Sequence, residues 1–568
     1  MKFSVATAFA LCEAVAAVQQ TVDLGYSSFK GTVLDNGITQ WLGMPFAAPP
    51  VGDLRWRAPR DPAKTQGIQD ASKNAPSCIG TGETANANKS EDCLYASVFA
   101  PTKATRCSPL PVYVWIMGGG FNQNSGPNSN GTGLIKAAEE DLVVVTFNYR
   151  VGTYGFMSNG DTDSEHIDTN MGLLDQRKLL HWVHDNISKF GGDPRRVVIG
   201  GASAGGASVT YQLTAYDGKD EGLFAGAAAQ SQSFGPVRTA AKSRYQFVNL
   251  AKKLGCWDDN HAAGLPEDDK SNDAAILACM RAAPVATIQE VNKNIPYPEI
   301  ADRSDAKAPL YMWSPMIDGD FIKDLTYTRF REGRYVHVPT IFGDDTNEGT
   351  GFAPQTAASQ SDSHAFFRAQ FPAVTDAQLT VLDELYPNAN QSTCPNAGCW
   401  WRQAADLYGE TRYNCPGLFL AETLSSPSTP SPARTKQQPL YLYQYDVLDP
   451  AQEAAGLGVP HTVETFAIWG PENLVNAAPK SYLPGGINAG AIPVMQGYWT
   501  SFMRSLDPSA HRAAGSAEWT AWTGGYDEGK RVYISTGGKT AMEKVEQHMP
   551  GQVKRCEYLE TIAIPLEQ

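Results

Sequence analysis

The chain is 568 residues long and carries 60 acidic side chains against 46 basic ones, a formal net charge of −14. That balance argues against nucleic acid or an anionic membrane as partner, because both need a face of clustered Lys and Arg. The length allows several average domains. No internal repeat or clear linker divides it, and no later segment is long and apolar enough to cross a membrane.

In chain order, Met1-Lys2, an apolar run over 5–11 and the small residues Ala14, Ala16 and Ala17 read as a secretory signal peptide. Its boundary is set near residue 17, which leaves 18–568 as one domain. Val112-Tyr113-Val114-Trp115-Ile116 reads as a strand running into Met117-Gly118-Gly119-Gly120-Phe121. Three glycines there let the backbone turn N–H groups toward a ligand at close approach. His181 and His184, at i and i+3 of an expected helix, have no third ligand cluster beside them, so they read as helix surface. No metal or organic cofactor is expected.

Val197-Val198-Ile199 reads as a short buried strand, followed by Gly201-Ala202-Ser203-Ala204-Gly205 and a proline-free, helix-compatible stretch. Strand, tight turn and helix are the context of a nucleophile elbow. Ser203 is then held in a strained backbone conformation with its hydroxyl above the sheet, and the Ala204 N–H lies beside it at the positive end of a helix dipole. A glycine loop after one strand and a serine elbow after a later one favour acyl transfer. Gly119, Gly120 and Ala204 are the expected oxyanion donors.

Further motifs follow one another along the chain. Gly43-Met44-Pro45-Phe46-Ala47-Ala48-Pro49-Pro50 precedes Leu54-Arg55-Trp56, and Glu91-Asp92-Cys93-Leu94-Tyr95 comes next. Asn148-Tyr149-Arg150, Gly172-Leu173-Leu174-Asp175-Gln176 and Phe190-Gly191-Gly192-Asp193-Pro194 complete the set. In kind and order these resemble the type-B carboxylesterase/lipase family from about residue 31 to about residue 549. The resemblance implies an α/β-hydrolase fold, a large and mostly parallel central sheet flanked by helices. It also implies a triad in the chain order serine, acid, histidine.

Gly343-Asp344-Asp345-Thr346-Asn347-Glu348-Gly349 is similar to the family's acid loop, which makes Glu348 the acid, 145 positions beyond Ser203. Asp344 and Asp345 are rivals on chemistry alone, and position in the motif selects Glu348. Gly458-Val459-Pro460-His461-Thr462-Val463-Glu464 resembles the catalytic-histidine segment and makes His461 the base. Gln230-Ser231 resembles the segment behind the acid, where the Ser231 hydroxyl contacts the carboxylate. Two positions depart from the family pattern. Ala202 stands where most relatives carry glutamate, which weakens the case for a cationic substrate. Met117 stands where histidine is usual, which changes the polar support behind the oxyanion donors.

Nine cysteines remain after residue 17. The resemblance implies bridges Cys78 to Cys93 and Cys256 to Cys279, and leaves Cys107, Cys394, Cys399, Cys415 and Cys556 unassigned. Sequons occur at Asn88, Asn130, Asn186 and Asn390. Residues 425–439 read as an exposed Ser/Pro-rich loop and 258–273 as a solvated acidic excursion. The loop between Cys78 and Cys93 holds 14 residues with Ile79 as its sole large aliphatic before the closing signature, and no tryptophan. It is too polar for an interfacial lid and lacks an aromatic for a quaternary ammonium.

The expected function is a secreted serine carboxylesterase acting on soluble or small amphipathic carboxylic esters. The alternative is an acyltransferase or lactone-processing enzyme of secondary metabolism. Less favoured are an interfacially activated lipase and a non-catalytic adhesion protein. The partner is a small-molecule ester, and the sequence is silent on oligomeric state.

Overall fold

Along residues 112–116 the side chains alternate between two cores. Val112, Val114 and Ile116 pack in one, and Tyr113 and Trp115 in the other. The same alternation divides Val197 and Ile199 from Val198, and Leu440 and Leu442 from Tyr441 and Tyr443. A two-residue period with both faces apolar defines strands covered on both sides by helices. The computed structural model describes residues 18–568 apart from 163–164, 261, 263, 389–397, 427–428 and 430–436. The expected signal peptide therefore lies outside the described residues, as do Asn390, Cys394 and most of the Ser/Pro-rich loop.

The strands of the main sheet are β1 (Thr32–Val33), β2 (Ile38–Pro45), β3 (Tyr95–Pro101), β4 (Leu110–Ile116), β5 (Val143–Phe147), β6 (Gly192–Ala202), β7 (Gly226–Gln230), β8 (Thr340–Asp345), β9 (Leu440–Asp446), β10 (Lys530–Ser535) and β11 (Lys539–Lys544). Their order across the 11-stranded sheet is β11-β10-β9-β8-β7-β6-β4-β5-β3-β2-β1. From β10 to β5 every pair is parallel. The pairs at both margins are antiparallel. Parallel strands point their carboxyl ends to one side, and in open α/β sheets ligands bind there. The glycine loop follows β4, Ser203 follows β6, and Glu348 follows β8. His461 comes after β9.

The helices that matter for the site are α1 (Met171–Asn186), α2 (Ala204–Gly218), α3 (Trp401–Gly409), α4 (Cys415–Ser425), α5 (Thr465–Trp469) and α6 (Gln552–Ile562). Two buried ion pairs explain why the sequence motifs travel together. Arg55 grips Glu91 through Nε and Nη2 at 2.6 and 2.7 Å, joining the opening segment to the cysteine-bearing one. Arg150 grips Asp175 through Nε and Nη2 at 2.8 and 2.7 Å, joining the end of β5 to α1. Either partner left alone would be an uncompensated buried charge, costing about 3–5 kcal/mol.

Both bridges implied by the resemblance are present, and a third joins Cys415 on α4 to Cys556 on α6. The acidic excursion is largely exposed among the described residues and is pinned at its end, because Asp273 is buried and accepts hydrogen bonds from Arg244 and Asn159. Among the sequons, Asn88 is exposed and Asn130 half-buried. Asn186 is buried at the end of α1, where its amide nitrogen donates to the Trp182 carbonyl and its oxygen accepts from Lys189. That nitrogen is not open to a glycan.

The Cys415–Cys556 bridge spans 141 positions, and long closed loops are those whose cross-linking most restricts the unfolded chain. Replacing both cysteines by alanine lowers unfolding free energy by about 2–4 kcal/mol, measured by denaturant unfolding without reductant.

Candidate active site

Ser203 precedes the first residue of α2 and holds φ +61°, ψ −122°. A non-glycine residue in such a conformation costs on the order of 1–3 kcal/mol and persists only where its surroundings enforce it. Here the Ser203 N–H donates to the Gln230 carbonyl of β7 at 3.0 Å. Gly205 supplies the rest, since a Cβ on it would lie 2.0 Å from the Ile116 carbonyl oxygen at the end of β4. The first turn of α2 thus abuts the end of the neighbouring strand with no room for a side chain.

The glycine loop turns its carbonyls back into the protein. The Gly119 carbonyl accepts from the Asn122 and Gln123 N–H groups at 3.1 and 3.0 Å, and that of Gly118 from Ser125 at 3.1 Å. The Gly120 carbonyl accepts from the Asn122 amide at 2.7 Å. Gly119 itself sits at φ +116°, a conformation open to glycine. The N–H groups of Gly119, Gly120 and Ala204 have no acceptor among the described residues. Where histidine is usual, the buried Met117 offers no polar side chain, and the loop is braced through its carbonyl, which accepts from the Tyr149 hydroxyl at 2.9 Å.

Glu348 is 1% exposed just beyond β8. One carboxylate oxygen accepts the Asp345 N–H at 2.8 Å and the other accepts the Nδ1–H of His461. With Nδ1 donating, Nε2 of the neutral ring is the acceptor, and it has no partner among the described residues. The ring is held by Tyr413 and Phe352, centroids 4.4 and 5.0 Å away. His461 and Ser203 line one cavity of about 350 Å³, together with Gly118, Gly119, Ala202 and Tyr311.

The structure therefore brings Ser203, His461, Glu348 and the glycine loop together, and it sends the rival carboxylates elsewhere. Asp344 accepts from Gln232 at 2.8 Å, and the Asp345 side chain faces Glu464. Burial, then the charge of Glu348, pushes Asp344 well above the usual carboxylate range. Ser231 is corrected. Its hydroxyl is buried without a hydrogen-bond partner among the described residues, while its N–H is tied to the Gly343 carbonyl. The donor on the Glu348 carboxylate is the Asp345 amide instead. His181 and His184 lie on the exposed face of α1.

One element escaped sequence reasoning. Between α3 and α4 the chain widens into a π-turn, Glu410–Asn414, which puts Tyr413 on His461. Pro416 lacks the N–H that would bond Arg412 in a regular helix, and the Arg412 carbonyl accepts from Phe234 at 2.8 Å instead. The neighbouring carbonyls of Thr411 and Tyr413 accept from Gln568 and Gln232. Such turns recur at functional sites, and Pro416 was the one signal for it. Glu464, quoted only as part of a motif, also belongs here. The loop between Cys78 and Cys93 stays off the cavity lining, fastened by Gln289 to the Gly80 and Glu83 carbonyls and by Thr81 to Asn122.

A serine at a strand-to-helix elbow, with an acid and a histidine delivered by later strands of one parallel sheet, defines an α/β-hydrolase. The carboxylesterase family pattern matches residues 18–552, and the chain belongs to that family, the serine carboxylic ester hydrolases. It is similar to EstA of Aspergillus niger in crystal structure, with a TM-score of 0.87 and 36% identity over 97% of this chain and 99% of that one. Secreted lipase 4 of Gibberella zeae is 29% identical, covering 92% of this chain and 90% of its own. Fumonisin B1 esterase of Sphingopyxis macrogoltabida is 29% identical over 83% and 79%. Membership as an ester hydrolase displaces the adhesion-protein alternative.

Gly205→Ala tests the elbow. The added methyl must displace either β4 or α2, and a misplacement of about 1 Å lowers turnover by about 100-fold. Hydrolysis of a p-nitrophenyl ester should fall at least that far while circular dichroism reports an intact fold.

Proposed function

We propose that the chain is a secreted carboxylesterase that works through Ser203, His461 and Glu348 on soluble or small amphipathic esters. The observation that carries this reading is the Glu348–His461 pair, with Nε2 unengaged in the cavity that Ser203 lines. His461 Nε2 takes the hydroxyl proton as Ser203 Oγ attacks the ester carbonyl. The N–H groups of Gly119, Gly120 and Ala204 receive the oxyanion in a site where no reorganisation is required of them. The imidazolium, stabilised by Glu348, protonates the departing alcohol. His461 then activates water to hydrolyse the acyl-enzyme. Residues 18–568 act as one catalytic domain in this reading, with glycans at Asn88 and Asn130, and the disulfides among the described residues accord with export.

The substrate preference rests on the first disulfide loop and on the residue before the serine. The loop between Cys78 and Cys93 carries Glu83, Asn86, Asn88, Lys89, Glu91 and Asp92 and is fastened down, so an interface has no apolar lid to hold open. Ala202 adds no negative charge for a cationic substrate.

Ser203→Ala lowers turnover by about 10⁶ without loss of secretion, checked by ester hydrolysis and by the amount of folded protein in the medium. Retention of more than a few per cent of activity would place the nucleophile elsewhere. Glu348→Gln costs about 10⁴, whereas Asp344→Asn keeps most of the activity.

Rate measured against tributyrin across its solubility limit follows ordinary saturation. A jump at that limit would instead mark an interfacially activated lipase. Transfer of the acyl group to an added alcohol in preference to water would mark an acyltransferase.

A further inference from the structure

Behind the Glu348–His461 pair lies a cluster of carboxyl groups that the hydrolytic cycle does not use. Asp345 and Glu464 are both fully buried, and their side chains face each other closely enough for each carboxyl to act on the other. Neither oxygen of Asp345 meets a well-formed N–H or O–H donor among the described residues, and neither does Oε2 of Glu464. Two carboxylates are acceptors only and cannot bond each other. A contact between them requires a proton, and like charges at that distance do not both ionise in a buried site.

We propose that Asp345 and Glu464 share one proton, held on Asp345, so that the pair presents a single negative charge to Glu348 and His461. This makes Asp345 a positioning residue twice over, since its N–H orients the Glu348 carboxylate and its protonated side chain anchors Glu464. The donor inventory decides which member is ionised. Glu464 accepts the Tyr443 hydroxyl at 3.1 Å and feels the nearby His461, whereas neither carboxyl oxygen of Asp345 has a well-formed hydrogen-bond partner among the described residues. Burial, followed by the charges of Glu464 and Glu348, accordingly holds Asp345 well above the ordinary carboxylate range.

The other charged or titratable groups around the pair leave that assignment in place. Asp344 precedes Asp345 on β8, and the Arg531 guanidinium of β10 acts on it. Tyr443 and Tyr445 on β9, and Tyr482 bonded to Tyr445 at 2.9 Å, are all pushed up by burial and stay neutral. No cation among the described residues pairs with Asp345 or Glu464 through a salt bridge. A shared proton is what limits the negative charge there. A second full charge would favour the imidazolium over the neutral ring that acts as the base.

The inference rests on the proposed triad, so one measurement is independent of activity. In the infrared spectrum of the full-length protein at neutral pH, a protonated-carboxyl band should be present that disappears in Asp345→Asn and persists in Asp344→Asn. Persistence of every such band in Asp345→Asn would overturn the proposal whether or not Ser203 is the nucleophile. Absence of any such band in the wild type at neutral pH would overturn the proposal as well, which covers the case where the variant does not fold.

The second measurement is the acid limb of kcat/KM, where protonation of His461 removes the base. Asp345→Asn keeps the charge of the pair and leaves the limb within about 0.2 pH unit, whatever happens to the rate. Asp345→Asn combined with Glu464→Gln removes the remaining charge, disfavours the imidazolium and moves the limb down by at least about 0.5 pH unit. A downward shift in the single variant would show two charges in the wild type. No shift in the double variant would show that the pair does not bear on His461.

Discussion

The contact between the first turn of α2 and the end of β4 governs this molecule more than any other. A Cβ on Gly205 would fall 2.0 Å from a backbone oxygen, so helix and strand are as close as two backbones can come. That closeness holds Ser203 at φ +61° and sets it beside the glycine loop that continues β4. Ser203 and the glycine loop are therefore positioned by one contact. The strain of on the order of 1–3 kcal/mol at the serine is offset by the apolar packing of strands buried on both faces.

The parallel sheet does the remaining alignment. Because β4, β6, β8 and β9 run the same way, the loops that follow them emerge at one edge. Residues 203, 348 and 461 can then meet although long stretches of chain separate them. The intervening segments are tied to the scaffold by buried charge pairs, Arg55 with Glu91 and Arg150 with Asp175. Such pairs are weak sources of net stability, but removing one member is severe. Each therefore demands its partner in the right place.

The surroundings of His461 combine aromatic packing with carboxyl groups. Tyr413 and Phe352 fix the plane of the ring, and Glu348 fixes its tautomer. The π-turn that delivers Tyr413 also buries Arg412 among Tyr311, Tyr408 and Tyr413, with its Nε on Ser233. Polar and charged groups are thus packed among aromatic rings beside His461.

Much of this was legible in the sequence, where the signal is local. The two-residue alternation at 112–116, the serine bracketed by Gly201 and Gly205, and the glutamate and histidine within their motifs all express constraints that act over a few residues. The alternation needs only two apolar cores, and the elbow glycines need only a turn too tight for side chains. What the tertiary structure alone decided is of another kind. That Ser231 leaves the carboxylate to the Asp345 amide, that Asn186 is buried, that Cys415 finds Cys556, and that Asp345 faces Glu464 depend on segments distant in the chain becoming neighbours. Packing and hydrogen-bond accounting select those contacts only once the whole fold has closed, and no short stretch of sequence carries their energy.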